Sequence, residues 1–205
     1  MAYYPIMLNV AANPVMVVGE GLVAAAKLEG LVAAGARVDL FARHPSPKLL
    51  EVTGHPGVTR HAREPSPEDF AGVALVIAAS QDPGVNQRAA QWARMHGRLV
   101  NIVDEPACSD FAAVSQIRRG SLVVGISTSG RAPFLAKALR QYLDMFFSTE
   151  WVTLVDEMAA LRQQARVTMA DPDSRKQWLR EQLAARWPLG RDEWPAGTKC
   201  ERVDA

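Results

Sequence analysis

From residue 15 to residue 103, short apolar runs rich in β-branched residues alternate with longer stretches of helix formers, and that alternation predicts the fold. Val15-Met16-Val17-Val18 reads as a strand buried on both faces, as in a parallel sheet. Leu22 to Ala34 is rich in alanine and leucine and reads as a helix, with Gly35 at its C-cap. Arg37-Val38-Asp39-Leu40-Phe41 reads as a second strand. Strand, tight loop, helix and strand thus fit within about 30 residues, the length of a βαβ unit. Gly72 to Ala79 predicts another buried strand, stopped by Ser80 and the turn Asp82-Pro83-Gly84. Val85 to His96 predicts a helix stopped by Gly97, and Leu99 to Val103 a strand that ends at Asp104. Such an order argues for an α/β domain with a Rossmann-like, doubly wound parallel sheet.

Past Phe111 the pattern changes. Ser121 to Thr128 predicts one more strand, Ser129 to Pro133 a turn, and Phe134 to Phe147 an amphipathic helix. Helices follow at Trp151–Arg166 and Ser174–Trp187, joined by Asp171-Pro172-Asp173. The stretch from Pro188 is rich in glycine, proline and charge and reads as poorly ordered. The expected division is a dinucleotide-binding domain over 1–112, a small second domain over 113–148, a helical module over 149–190 and a flexible tail over 191–205.

The loop between the first strand and helix carries Gly19-x-Gly21-x-x-Ala24. In such a loop the first glycine permits a tight turn and the second lets backbone approach a pyrophosphate. The third small residue lets helix and strand pack closely, and the helix N-terminus favours the phosphate charge. Its place directly between strand and helix supports dinucleotide binding. Within it, Gly19, Glu20, Gly21, Leu22 and Val23 are candidate cofactor contacts. An NAD site usually has an acid at the end of the second strand. Asp39 has the spacing but sits in the strand's first half, and the strand ends in Arg43 and His44. Both are candidate cofactor contacts, and NAD against NADP stays open at this point. Asp104, emerging where open α/β sheets bind ligands, reads either as a general acid or base or as a turn-forming residue before Pro106.

Charge adds one feature. The whole chain has a formal net charge of +1, which gives no bulk sign of nucleic-acid or membrane binding. Yet residues 111–143 contain Arg118, Arg119, Arg131, Lys137 and Arg140 and no acid. That concentration suits an anionic substrate or a solvated face. Thr128, Ser129, Gly130 and Arg131 precede the helix like an anion-holding loop, and with Arg118 and Arg119 they form the candidate substrate contacts. His44, His55, His61 and His96 show no metal-ligand spacing, so no protein metal site is expected. No Gly-x-Ser-x-Gly elbow is present. Cys108 and Cys200 read as free thiols. No basic, apolar leader and no apolar run of ~18 residues occurs, so a soluble cytoplasmic protein is expected.

The blocks in order resemble one family. Tyr4 to Val10, Val17-Val18-Gly19-x-Gly21-x-Val23-Ala24-x-x-Lys27 and Leu31-x-x-x-Gly35-Ala36-x-Val38 are followed by Val76-Ile77-Ala78-Ala79-Ser80-x-Asp82-x-x-Val85-Asn86. Then come Val100-Asn101-x-Val103-Asp104, Asp110-Phe111 and Ile126 to Pro133 with Leu135-Ala136. Over roughly residues 3–145 this is similar to the precorrin-2 dehydrogenases, the dehydrogenase and ferrochelatase part of siroheme synthases. The resemblance implies NAD-dependent oxidation of precorrin-2 to sirohydrochlorin, with ferrous iron insertion as a second step in many members. It implies that Asp104 is the catalytic carboxylate, and that Ala79, Ser80 and Asn101 border the cofactor. It further implies a homodimer whose second domain, over 113–148, makes the dimer and meets a substrate bearing eight carboxylates. A dehydrogenase without chelatase activity, or a non-catalytic module binding NAD(P) or a tetrapyrrole, fits the same residues.

Overall fold

The structure, a computed structural model, describes residues 3–187. Strand β1 (Val15–Val18) is wholly buried and lies at the centre of a five-stranded parallel sheet. The other strands are β2 (Val38–Phe41), β3 (Val58–His61), β4 (Leu75–Ala78) and β5 (Leu99–Ile102). Their order is β3-β2-β1-β4-β5, so the chain runs outward from β1 to one edge and returns to build the other. β1 pairs in register with both neighbours: Val15 lies opposite Val38 and Leu75, and Val18 opposite Phe41 and Ala78.

Side chains alternate across a strand, and β1 uses both directions. Val15 and Val17 pack with Ala24, Ala25 and Leu28 of helix α1 (Leu22–Ala33) and with Leu49 of α2 (Pro47–Thr53). Met16 and Val18 pack on the other face with Phe70 and with Val85, Ala89 and Ala93 of α3 (Pro83–Met95). Helices on both faces make the sheet doubly wound, as the sequence pattern predicts. Truncating a fully buried side chain such as Leu28 to alanine costs about 2–5 kcal/mol in cores of this kind.

Strand β3 and helix α2 are among the elements of this unit absent from the sequence-based expectation. Strand β3, Val-Thr-Arg-His, is an edge strand with no fully buried residue, so its hydrophobic signal is weak. Helix α2 spans seven residues, opened by Ser46, whose hydroxyl accepts from the Leu49 amide at 3.3 Å, and by Pro47 at the first helical position. The sheet therefore has five strands, and the run at 72–79 forms the fourth in chain order.

The opposite edge, β5, is covered by the chain that follows it. The Asp110 amide donates to the Val100 carbonyl at 2.8 Å, and the Asp110 carboxylate accepts from the Val100 amide at 2.9 Å. The Ser109 hydroxyl accepts from the Ile102 amide at 2.9 Å and donates towards the carbonyls of Ile102 and Glu105. Side chains here satisfy backbone groups that a neighbouring strand would otherwise pair.

The chain divides into two compact units after Ala113. The second unit starts with an antiparallel hairpin, β6 (Ser115–Arg119) and β7 (Leu122–Ile126), turned at Gly120 with φ +55°. The sequence pattern finds β7 alone, because Ile117 is the one fully buried residue of β6. Helix α4 (Pro133–Asp144) follows, then α5 (Glu150–Thr168) and α6 (Pro172–Ala185). An ion pair between Arg186 and Glu157 at 3.1 Å ties the end of α6 to the first half of α5. The expected loose tail from Pro188 and Cys200 lie outside the described residues. Among those residues no helix is long and apolar enough to cross a membrane, and no cluster of His, Cys, Asp or Glu could hold a metal ion.

Candidate functional site

The fingerprint glycines turn out to have different duties. Gly19 has φ +150°, and a Cβ there would stand 2.4 Å from the Ala79 carbonyl oxygen. Its lack of a side chain is demanded by the close passage of the loop beside the end of β4. Gly21 is the extended N-cap of α1, and a Cβ on it would meet only the Gln81 side-chain nitrogen, at 3.6 Å. Space is therefore open on the side of the helix N-terminus. Ala24 is fully buried, which lets α1 lie close on the sheet, while Leu22 and Val23 point outward and are exposed.

Helix α1 also differs from its neighbours at its N-terminus. α2 is capped by Ser46, and α3 by the Asp82 carboxylate, which accepts from the Gly84 amide at 2.7 Å. α1 has no side-chain cap and no acid in its first turn. Its first N–H groups thus have no capping partner, and the positive end of the helix dipole is uncompensated. An open cradle with free donors and no competing carboxylate fits the pyrophosphate of a dinucleotide.

Around the end of β2 the loops are tied together. One oxygen of Glu20 accepts from the amides of Arg43 at 2.8 Å and His44 at 3.0 Å, and the Glu20 carbonyl accepts from the Ser46 amide at 2.8 Å. Arg43 and His44 themselves are exposed, with the Arg43 guanidinium 3.6 Å from Glu64. Asp39 does not reach this corner: its carboxylate lies 2.9 Å from His61 Nε2, within the sheet.

At the ends of β4 and β5 two side chains hold the backbone. Asn86 is buried, accepting from the Ser80 amide and donating to the Ser80 carbonyl, both at 2.9 Å. This two-point clamp fixes the turn beside Gly19. The Asn101 amide donates to the Phe111 carbonyl at 2.9 Å, so it is engaged within the fold. Sequence reading overlooked Asn86, although a polar residue at a helix position that packs against the sheet was its available signal.

Asp104 is unlike both. It is exposed, has φ +62°, and its carboxylate makes no hydrogen bond among the described residues. Asp tolerates the left-handed region better than most residues, but such conformations cluster at functional sites. Asp104 does occupy a turn, closed by the Glu105 amide donating to the Ile102 carbonyl at 3.2 Å, but its side chain takes no part in it. A carboxylate without a hydrogen-bond partner among the described residues remains at the carboxyl end of the sheet. Lys27, half-buried on α1, carries a charge that interacts with Asp104. Burial lowers its pKa from the ordinary lysine value, and the Asp104 charge acts against that shift. Helical side chains lean toward the N-terminus, which aims Lys27 at the carboxyl ends of the strands. Lys27 is a second residue that sequence reading did not single out as part of the site.

A cavity of about 670 Å³ lies elsewhere. It is lined by Gln91 and Met95 of α3 and by Ile102, Glu105 and Cys108, and includes neither the glycine loop nor Asp104.

In the second unit the basic residues divide. Arg119 is spent on the fold, donating to the Phe147 carbonyl at 2.6 Å and pairing with Asp144 at 2.9 Å. Arg118, its neighbour on the opposite face of β6, has a buried Nε without a hydrogen-bond partner. Ser129 and Gly130 both have positive φ, +53° and +77°, in a turn that is closed on itself. The Ser129 amide donates to the Ser127 hydroxyl, and the Arg131 and Ala132 amides donate to the carbonyl and hydroxyl of Thr128, all at 3.0–3.1 Å. The Arg131 side chain is exposed.

Comparison with known proteins bears on the family and the fold. The chain is 31% identical over 187 residues to siroheme synthase 1 of Klebsiella pneumoniae subsp. pneumoniae, covering 91% of this chain and 40% of that protein. It is 34% identical over 209 aligned positions to siroheme synthase of Methylococcus capsulatus, covering 100% of this chain and 44% of that protein. The chain thus spans about two fifths of the length of these curated relatives. Among solved structures, SirC, a precorrin-2 dehydrogenase, superposes with a TM-score of 0.77 at 22% identity, over 91% of this chain and 93% of SirC. The two share the fold. Residues 6–115, more than half of the sequence, match the family described as "Putative NAD(P)-binding", and the chain belongs to that family.

Proposed function

We propose that the chain is an NAD-dependent precorrin-2 dehydrogenase that forms sirohydrochlorin on the route to siroheme. The observation that carries this reading is the free, backbone-strained carboxylate of Asp104, on the same side of the sheet as the uncapped N-terminus of α1. The names of the relatives and of the fold neighbour support it.

Gly19 to Val23 and the α1 N-terminus hold the pyrophosphate, and the loop at Glu20, Arg43 and His44 meets the adenosine half. NAD, when bound, supplies the acceptor for the hydride that a saturated ring carbon must lose. An Asp104 carboxylate oxygen takes the proton released from the macrocycle, acting as a general base. Lys27 supplies a positive charge near that carboxylate. Ala79 and Ser80, fixed by Asn86, wall the turn next to Gly19. A substrate with eight carboxylates calls for cations, and Arg118, Arg131, Lys137 and Arg140 of residues 113–148 are available for it. The same segment serves as the dimerisation domain, with the helices of 149–190 as an appended module.

The test is NAD-dependent formation of sirohydrochlorin from precorrin-2, read by absorbance. Wild type is expected to turn over. Asp104→Asn is expected to lose about 100-fold or more in kcat, the scale of general-base catalysis, while retaining NADH binding. Equal turnover by the two proteins contradicts the role of Asp104, and no turnover by either contradicts the activity. Sirohydrochlorin with Fe(II) as co-substrate, in the same apparatus, decides whether iron insertion accompanies dehydrogenation.

A further inference from the structure

We propose that Glu20, from within the glycine loop, is the acid that reads the adenosine ribose and selects NAD over NADP. The proposal rests on the dinucleotide reading above and deepens it to a residue.

A dinucleotide site of this fold discriminates by what stands at the end of the second strand. A carboxylate there accepts from the ribose 2′-hydroxyl, whereas arginine accommodates a 2′-phosphate. In this chain β2 runs out through Phe41, Ala42, Arg43 and His44 with no acid. Its own acid, Asp39, faces His61 at 2.9 Å within the sheet. The sequence therefore offers an arginine and no acid at the strand end, and on that ground NAD against NADP stays open.

The structure fills the corner differently. Glu20 reaches across to the end of β2, and one of its oxygens accepts from two successive amides, Arg43 at 2.8 Å and His44 at 3.0 Å. Its backbone carbonyl is fixed by the Ser46 amide at 2.8 Å. The carboxylate is thus locked at the place where an acid at the end of the strand would stand. An ionised carboxylate can accept at both oxygens. The second oxygen of Glu20 makes no hydrogen bond among the described residues, so it is free for a hydroxyl donor.

The neighbouring cations are engaged. Arg43 lies 3.6 Å from Glu64, and Arg63 is bidentate to Asp69 at 2.7 Å on both arms. Arg60 donates to the carbonyls of Ala42 and Arg43 at 3.2 and 3.1 Å. A 2′-phosphate arriving here meets a fixed negative charge and must compete with Glu64 for Arg43. A ribose diol meets an acceptor already oriented for it. Both effects favour NAD.

Fluorescence titration of the full chain with NADH and with NADPH tests this. Wild type is expected to bind NADH at least 10-fold more tightly. Glu20→Gln keeps an oxygen for the Arg43 and His44 amides and removes the charge. It is expected to weaken NADH, to strengthen NADPH, and to shrink their affinity ratio at least 10-fold. Asp39→Asn removes a charge from β2 itself and is expected to leave the ratio within twofold. An unchanged ratio in Glu20→Gln overturns the proposal. So does equal tightening of both nucleotides, which would make Glu20 a plug. A second measurement needs no variant: 2′-deoxy-NAD, competed against NADH on wild type, is expected to bind at least fivefold more weakly than NAD. Equal affinity overturns the proposal. If wild type binds neither NADH nor NADPH, the dinucleotide reading fails and this inference with it. Binding of NADH with the ratio unmoved by Glu20→Gln refutes the inference alone.

Discussion

A methyl group at Gly19 would sit 2.4 Å from the Ala79 carbonyl oxygen at a φ of +150°, and neither partner can yield, since both are backbone at the sheet's centre. At Gly21 the same methyl group meets open space and one flexible glutamine. Gly19→Ala is therefore expected to destabilise the fold by about 3 kcal/mol or more, the range of severe backbone conflicts, seen as a large drop in denaturant midpoint. Gly21→Ala is expected to leave the midpoint nearly unchanged and to weaken NADH about 10-fold, because the added carbon stands where phosphate must approach. A titration and a denaturation curve on each variant separate the two duties. Asp69 offers a pH test. Its carboxyl is held down to about 2, chiefly by the Arg63 guanidinium, with the Ser66 amide and hydroxyl adding to it. A depressed carboxyl contributes stability that is fully present above its unfolded pKa and is lost as pH falls through the folded one. The contribution of Asp69, up to about 2 kcal/mol, is thus expected to vanish between pH 4 and pH 2. Asp69→Asn should lower stability at pH 7 and flatten that part of the acid profile, as measured by urea unfolding.

At the level of elements, legibility followed burial. β1 and β4 lie in the middle of the sheet and β5 at the edge that the following chain covers, and all three announce themselves as apolar runs, as does the alanine-rich α1. β3 and β6 are polar, with β3 at the sheet edge and β6 in a two-stranded hairpin, and four- or five-residue strands of that kind carry no hydrophobic period to read. The site divides in the same way. Gly19 and Gly21 are legible from spacing, whereas Asp104, by its place at a strand end, reads equally as an acid–base group or a turn residue and is singled out only by the family resemblance. Lys27, Asn86 and the reach of Glu20 depend on which residues the topology brings together. The acid-free basic stretch reads differently in three dimensions, because Asp144, just past its end, takes Arg119. Helix α4 adds an element-scale expectation. Phe134, Leu135, Leu139, Tyr142, Met145 and Phe146 are all exposed along it and just beyond, an apolar face larger than scattered surface residues explain. If this face makes the proposed homodimer, Leu139→Asp is expected to convert a dimer into a monomer by size-exclusion chromatography with light scattering, with the helix content retained. A wild type that is already monomeric contradicts that assignment.

Across the whole molecule, a nearly neutral chain concentrates its chemistry by topology: an open helix end, a corner held by Glu20 and a free carboxylate all sit at the carboxyl ends of parallel strands, where such sheets bind ligands. The covered edge of β5 has a consequence for how the protein behaves in bulk. Ser109 and Asp110 occupy the backbone groups of Val100 and Ile102, so that side of the sheet offers no template to a passing strand. Assembly by adding strands there is blocked. A chain cut short before Ser109 would expose the apolar sequence Leu-Val-Asn-Ile as a bare edge, and such a fragment is expected to lose solubility through cross-β stacking and to bind thioflavin T.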